Sequence, residues 1–321
     1  MYNRNTDLEE VCFETKHVEE VYKEIQKNFN DYFKLYIETC SGLYPSEKSI
    51  QDVRQSLGIE VSVKDIKEKE YLLRIISNAI KEFEKDVDEY EKLFDLEALE
   101  EYEEDPASFK NDLKKECSMI RKTLNRNNKS LDEFKKKFKY SKSEELLQVC
   151  TNIVNYAIEY PGKWEDYDYD HNYTVEDLLG ELLELEVFDE EGYGVRGVIG
   201  GGIKSYIAHK LVPAYFPHRS REGIWALWYL SGKKDFGCEE DSEFLMILEE
   251  EVVTHQNFYY PYGLFSIYSY LIYKLLLIAF EEYEVILPEK HRYVIVKDFL
   301  HFVTVRHEAE ITELSRNLRE E

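Results

Sequence analysis

The chain has 321 residues, of which 43% are apolar, 33% charged and 14% aromatic, with only 14 Gly and 7 Pro. That is core material for one large domain or two ordinary ones, and it excludes a disordered or collagen-like chain. With 66 acidic residues against 41 Lys and Arg, a formal charge of −25 repels nucleic acid and anionic membranes from the molecule as a whole.

The spacing of Phe13, Val18, Val21, Ile25 and Phe29, continued by Tyr32, Leu35 and Tyr36, predicts a long first helix. Ser41-Gly42 and Pro45 end it, and a short helix through Ile50, Val53 and Leu57 and a strand over 59–63 follow. From Lys64 to about Glu104 the stripe Ile66, Leu72, Leu73, Ile76, Ile80, Phe83, Val87 and Leu93 is helical but too irregular for a heptad repeat. Leu131 to Tyr160 reads as one helix or a pair, stopped by Pro161-Gly162. The polar, aromatic segment Lys163–Tyr173 marks a boundary between domains 1–162 and 163–321. Thr174, with Asp177 three residues on, reads as the N-cap of a helix through Leu178 to Leu185.

Further on, the glycine loop Gly197–Gly202 leads into a helix from Ile203 to about Val212, and Arg219-Ser220-Arg221 opens another through Ile224 to Leu230. Phe244–Leu248 and Tyr293–Val296 are short apolar runs expected as strands. The 17-residue run Leu264–Phe280 contains Lys274 and two serines, so it is expected as a buried helix rather than a membrane span. The predicted fold is therefore mainly α: a helical N-terminal half, and an α+β C-terminal half with a few short strands. The five scattered cysteines form no CxxC pair, and the polar start Met1–Asp7 precedes no apolar run. A cytoplasmic protein without disulfides or membrane contact is expected.

Charge is blocked along the chain. Residues 82–105 hold 13 acids and 2 Lys, whereas 110–142 hold 12 Lys/Arg and 4 acids, a pattern that suits a hairpin of opposite charges broken at Asp105-Pro106. Lys135–Lys139 could instead touch a phosphate backbone. Residues 159–194 hold 13 acids and one Lys, and 235–251 hold 8 acids and no base. Between them lies a basic island, residues 195–234, with 7 Lys/Arg and one acid.

Within that island, Lys204, Arg219 and Arg221 are the candidate anion-binding residues, since Arg at a helix start is suited to phosphate or carboxylate. The downstream acids Asp241 and Glu243 are candidates for holding a divalent metal and for catalysis, with Asn257 and Tyr260 lining the pocket. The counter-charge of the island is either internal, from Glu239 to Glu243, or an external phosphate. A P-loop is not expected: after Gly197-x4-Gly202 an inserted Ile203 turns Lys204-Ser205 by about a hundred degrees on the helix. No GxSxG, HExxH or EF-hand pattern occurs, and the eight histidines show no metal spacing.

Ser231-Gly-Lys-Lys-Asp-Phe-Gly237 followed by Asp241-Ser-Glu243 resembles the nucleotidyltransferase signature, which implies a metal-bound triphosphate after a strand. The Gly-Ser order is reversed here and the spacing short. Phe216–Arg221, Trp225–Trp228, Phe236-Gly237, Ser242–Met246, Gln256-Asn257 and Tyr260–Tyr262 resemble a set of bacterial proteins with no established activity, over about 195–275. The nucleotidyltransferase resemblance implies a degenerate nucleotidyltransferase-like enzyme, and beside it two further functions are expected in parallel. One is a phosphate- or nucleic-acid-handling accessory or defence component; the other is a non-enzymatic acidic protein that binds a protein partner or mimics nucleic acid.

Overall fold

The computed structural model describes residues 10–39, 63–234, 236, 246–249, 252–255 and 260–316. Thr15–Thr39 forms α1, whose Val18, Val21, Ile25, Phe29, Phe33 and Tyr36 bury one face at three- and four-residue spacing. The predicted 64–104 stripe is three helices: Val63–Glu84 (α2), Val87–Leu93 (α3) and Leu96–Glu101 (α4). Aspartates set the breaks. Asp86 stands at the start of α3, and the Asp95 carboxylate accepts the Ala98 amide to start α4.

Asp105 likewise caps Pro106–Glu116 (α5), with Pro106 at the first helical position. Ser118–Asn125 (α6), Asp132–Tyr140 (α7) and Ser143–Glu159 (α8) complete the N-terminal half. The opposite-charge hairpin is barely realised: among the described residues, Arg121–Glu89 at 3.4 Å is the ion pair that joins the two runs.

After a capping box at Thr174 and Asp177, the chain leaves the predicted leucine helix after one turn for a π turn, Leu178–Leu182. Gly201–Leu211 (α9), Arg221–Leu230 (α10), Tyr262–Glu281 (α11), Arg292–Arg306 (α12) and Glu308–Arg316 (α13) follow. The α+β expectation for this half is overturned, because the described residues are 76% helical and, among them, helices build the core. Tyr293–Val296 lies inside α12, where Tyr293, Val294, Ile295 and Val296 are all buried. A run hidden on every side has no face to show, and packing overrides its β-branched preference. Met246–Glu249 (β1) pairs antiparallel with Val252–His255 (β2), an isolated ladder that forms no sheet layer. The predicted helix at 50–57 and strand residues 59–62 lie outside the described residues.

Elements from both sides of residue 162 share one core. α1 packs on α10, α11 and α12, α2 packs on α12, and α9 packs on α3 and α8. Rings make the seams: Phe29 and Tyr36 lie 5.3 and 5.4 Å from Phe299, and Phe33 lies 5.6 Å from Phe280. Asn28 donates to the Leu230 carbonyl at 2.9 Å, closing the end of α10. α11 is long and apolar enough to cross a membrane, and 83% of its apolar window is buried inside the protein.

The acidic segment after α8 docks on this core through tyrosines and buried cations. Tyr270 donates to the carbonyls of Tyr169 and His171, and Tyr273 to the Asp170 carboxylate. Arg292 adds an ion pair to Asp170 at 3.3 Å, and Lys274 donates to the Asp170 carbonyl.

Candidate functional site

α9 begins with Gly200 as N-cap and Gly201 and Gly202 as its first residues, and no side chain caps it. Its leading amides therefore lack partners within the helix and present the positive end of its dipole. The glycines serve close approach: a Cβ on Gly201 would lie 2.1 Å from Arg219 Nη1, so the Arg219 guanidinium lies directly against the start of α9. Ser205 locks this arrangement, its hydroxyl donating to the Gly201 carbonyl at 2.6 Å and accepting the Arg219 amide at 3.1 Å. A serine used in both directions by backbone groups is a brace, not a nucleophile.

Lys204 sits one turn into α9, where side chains lean toward the helix N-terminus. It is 7% exposed and Arg219 5% exposed. Lys204 makes no hydrogen bond or ion pair among the described residues. Burial pushes its ammonium below the usual lysine range, Asp189 pulls it back, and Arg219 pushes it further down. Burial also lowers Arg219, to about 10, against Asp189 and Tyr260. Asp189 is the carboxylate that both cations feel, yet it is also engaged as the cap of α11, accepting the Tyr262 and Gly263 amides at 2.9 and 3.1 Å.

The structure thus brings Lys204, Arg219 and Tyr260 together. Arg221 is set apart: it is exposed on the first turn of α10, which Ser220 caps through the Gly223 amide, and it feels Arg126 as a neighbouring like charge. Asp241, Glu243 and Asn257 lie outside the described residues. Among the described residues no three His, Cys, Asp or Glu side chains cluster as a metal site.

Most of the remaining island is neutralised from a distance. Lys210 meets Asp86 at 2.5 Å, Lys233 meets Glu310 at 2.8 Å and Lys234 meets Glu24 at 2.7 Å. Asp86 also accepts from Ser118 at 2.5 Å and Tyr206 at 3.3 Å. Burial alone would raise the Asp86 carboxyl, but Lys210 and Ser118 outweigh it and hold it below the usual range. Beside this pair, Lys297 lies over the Tyr206 ring at 5.1 Å, pushed down to about 8 by burial and Lys210. His209 holds its Nδ1 at 2.8 Å from the Phe216 carbonyl and is kept neutral by burial and Lys297. Sequence reasoning missed Asp86, Asp189 and Lys297, whose partners are far away in the chain.

Two sequence resemblances meet the fold here. The nucleotidyltransferase signature needs a strand before its turn, and that stretch is helix α10. The glycine loop faces an arginine side chain where a P-loop would cradle phosphates. Compared with family models, with curated proteins and with solved structures, the chain matches none of them.

Proposed function

We propose that the protein binds a small phosphate-bearing ligand at the start of α9, with Lys204 and Arg219 as the charged contacts. The observation that carries this reading is Lys204, a cation more than nine-tenths buried, without an ion pair among the described residues and one turn into a helix whose N-terminus no side chain caps. Such a charge is expensive to hold unless an anion joins it. The depth of both cations favours a single phosphoryl group over a nucleic-acid backbone, which needs charges spread on the surface. In this reading the protein is a sensor or carrier of a phosphorylated metabolite or nucleotide, and a metal held by Asp241 and Glu243 would be an addition to it.

The test is calorimetry and thermal melting of the full chain with pyrophosphate, with chloride as the ionic-strength control. At a concentration 100-fold above Kd a single site adds about 2.7 kcal/mol of stability. Saturable binding should vanish in Lys204→Met and persist in Arg221→Gln. Equal binding by both variants would refute the site.

A second reading concerns the acidic face. Glu97, Glu100, Glu101, Glu103 and Glu104 are exposed around α4 and make no ion pair among the described residues. They support the alternative of a basic protein partner held electrostatically. Such a complex should weaken steeply between 50 and 500 mM salt, concentrations at which the screening length shrinks from about 14 to about 4 Å.

A further inference from the structure

A cleft of about 550 Å³ opens beside the π turn, at a distinct set of residues from the α9 site. Its lining includes the rings of Trp164, Tyr167 and Tyr173 and the carboxylates of Glu176, Asp177 and Glu184. Tyr167 is 60% exposed and makes no aromatic contact among the described residues, so its ring is available to a ligand. Trp164 is fixed from behind, edge-to-face with Tyr169 at 4.6 Å.

The cleft is built rather than incidental. The chain leaves α-helical geometry at Gly180, whose ψ is −158, and Glu184 takes a left-handed φ of 51. Two tyrosines of the α8 end hold this departure in place, Tyr156 donating to the Glu184 carbonyl and Tyr160 to the Leu183 carbonyl. π turns and strained residues of this kind concentrate where a binding surface is needed.

Charge decides the ligand class. Lys163 pairs with Glu184 at 2.7 Å, which cancels one carboxylate. Glu176 and Asp177 remain, and Asp177 is held ionised by the Thr174 hydroxyl and amide. The rim therefore keeps a net charge of about −2 above aromatic faces, the combination that attracts a weakly hydrated cation. A neutral sugar would use the rings but gain nothing from the surplus carboxylates.

We propose that this cleft binds a small organic cation of the quaternary or alkylated ammonium class, caged by Tyr167, Tyr173 and Trp164 and held at its rim by Glu176. The probe is tetramethylammonium, followed on the full chain by calorimetry and by tryptophan fluorescence. 2,2-Dimethylpropanol serves as the neutral probe of similar shape, and glucose as the sugar control. Saturable binding with a Kd of about 1 mM is expected. Tyr167→Ala should weaken it about 3- to 10-fold and Glu176→Gln about 2- to 5-fold, each without a change in melting temperature because both side chains are exposed. Lys163→Gln should tighten binding, since it removes the one cation at the rim and releases Glu184. That sign would not follow from damage to the fold. Equal binding of the alcohol, a preference for glucose, no saturable binding, or indifference to Tyr167→Ala would each overturn the proposal.

Discussion

Replacing Lys204 by Met should make the ligand-free protein more stable while abolishing anion binding. Met preserves the length and most of the apolar stem and removes only the charge. Lys204 is 7% exposed and has no ion pair among the described residues, so its ammonium loses most of its hydration on folding. Its two charged neighbours act in opposite directions, Asp189 favourably and Arg219 unfavourably. Opposite charges of this kind offset one another, at about 3 kcal/mol each for a separation of ~6 Å and an effective dielectric of ~20, and the loss of hydration is the largest of the three effects. Replacing a poorly compensated buried charge by an apolar residue of similar size gains about 1–3 kcal/mol. For a chain of this size that is about 1.5–4.5 °C in Tm.

Acidity supplies a further check on Lys204. Because its folded pKa lies below the unfolded one, the unfolded chain binds more protons and stability rises with pH between the two values. The advantage of Lys204→Met should therefore be full at neutral pH and shrink as pH approaches 10.5. Differential scanning calorimetry at pH 7 and pH 10, with and without pyrophosphate, reads all of this. A variant that melts lower than the parent at pH 7, or that keeps the pyrophosphate shift, would refute the reasoning.

Other sites give outcomes of different sign. Asp86→Asn should cost about 3–5 kcal/mol in a denaturant titration, because it leaves Lys210 buried opposite a neutral group, whereas the double change Asp86→Leu with Lys210→Met should recover most of that loss. Since the Asp86 carboxyl is depressed on folding, its contribution is present above the unfolded value near 4 and lost as pH falls through the folded value, so parent and Asp86→Asn should converge in stability in strong acid. Lys297, pushed down to about 8, should react with acetic anhydride at pH 8.5 ahead of the exposed lysines, as read by peptide mass mapping. Gly263→Ala should cost about 1–3 kcal/mol, since its Cβ would meet the Glu186 Cβ at 2.9 Å and Cα at 3.1 Å while Asp189 fixes the Gly263 amide; an unchanged midpoint would show that the Glu186 segment yields freely.

Local rules explain which parts of this fold were legible. α1 follows from three- and four-residue spacing, α9 and α10 from the glycine loop and the Arg219–Arg221 start with breakers at their ends, and α11 from the length of its apolar run, and those signals are carried by the segments themselves. The capping box at Thr174 was equally readable, but the helix it should open gives way to a π turn, because the Leu183 and Glu184 carbonyls are drawn to Tyr160 and Tyr156 of α8. Tyr293–Val296 failed for the opposite reason: the start of α12, Arg292 to Val296, is buried on all sides, which erases the periodicity that separates helix from strand. In the candidate site, Lys204 and Arg219 were identifiable from charge against background, and Arg221 has the same charge signal but points outward. Asp189 and Asp86 could not be found this way, because an acid in an acidic protein is no departure and its role comes from a partner over a hundred residues distant in the second case.

The excess of acid over base now has a structural division. Three buried cations of the C-terminal half are matched by a carboxylate or carbonyl from elsewhere: Lys210 by Asp86, Arg292 by Asp170, and Lys274 by the Asp170 carbonyl. These pairs dock the acidic segment and the N-terminal helices onto the C-terminal helices, so their role is to fix the arrangement of elements rather than to meet a ligand. Lys204 breaks the rule, for the one carboxylate that it feels is shared with Arg219 and with two amides of α11. The same division holds with the sign reversed at the cleft, where Lys163 balances Glu184 and leaves Glu176 and Asp177 in surplus. We propose that the cation left over at the start of α9 and the carboxylates left over at the cleft are each completed by a ligand of opposite charge.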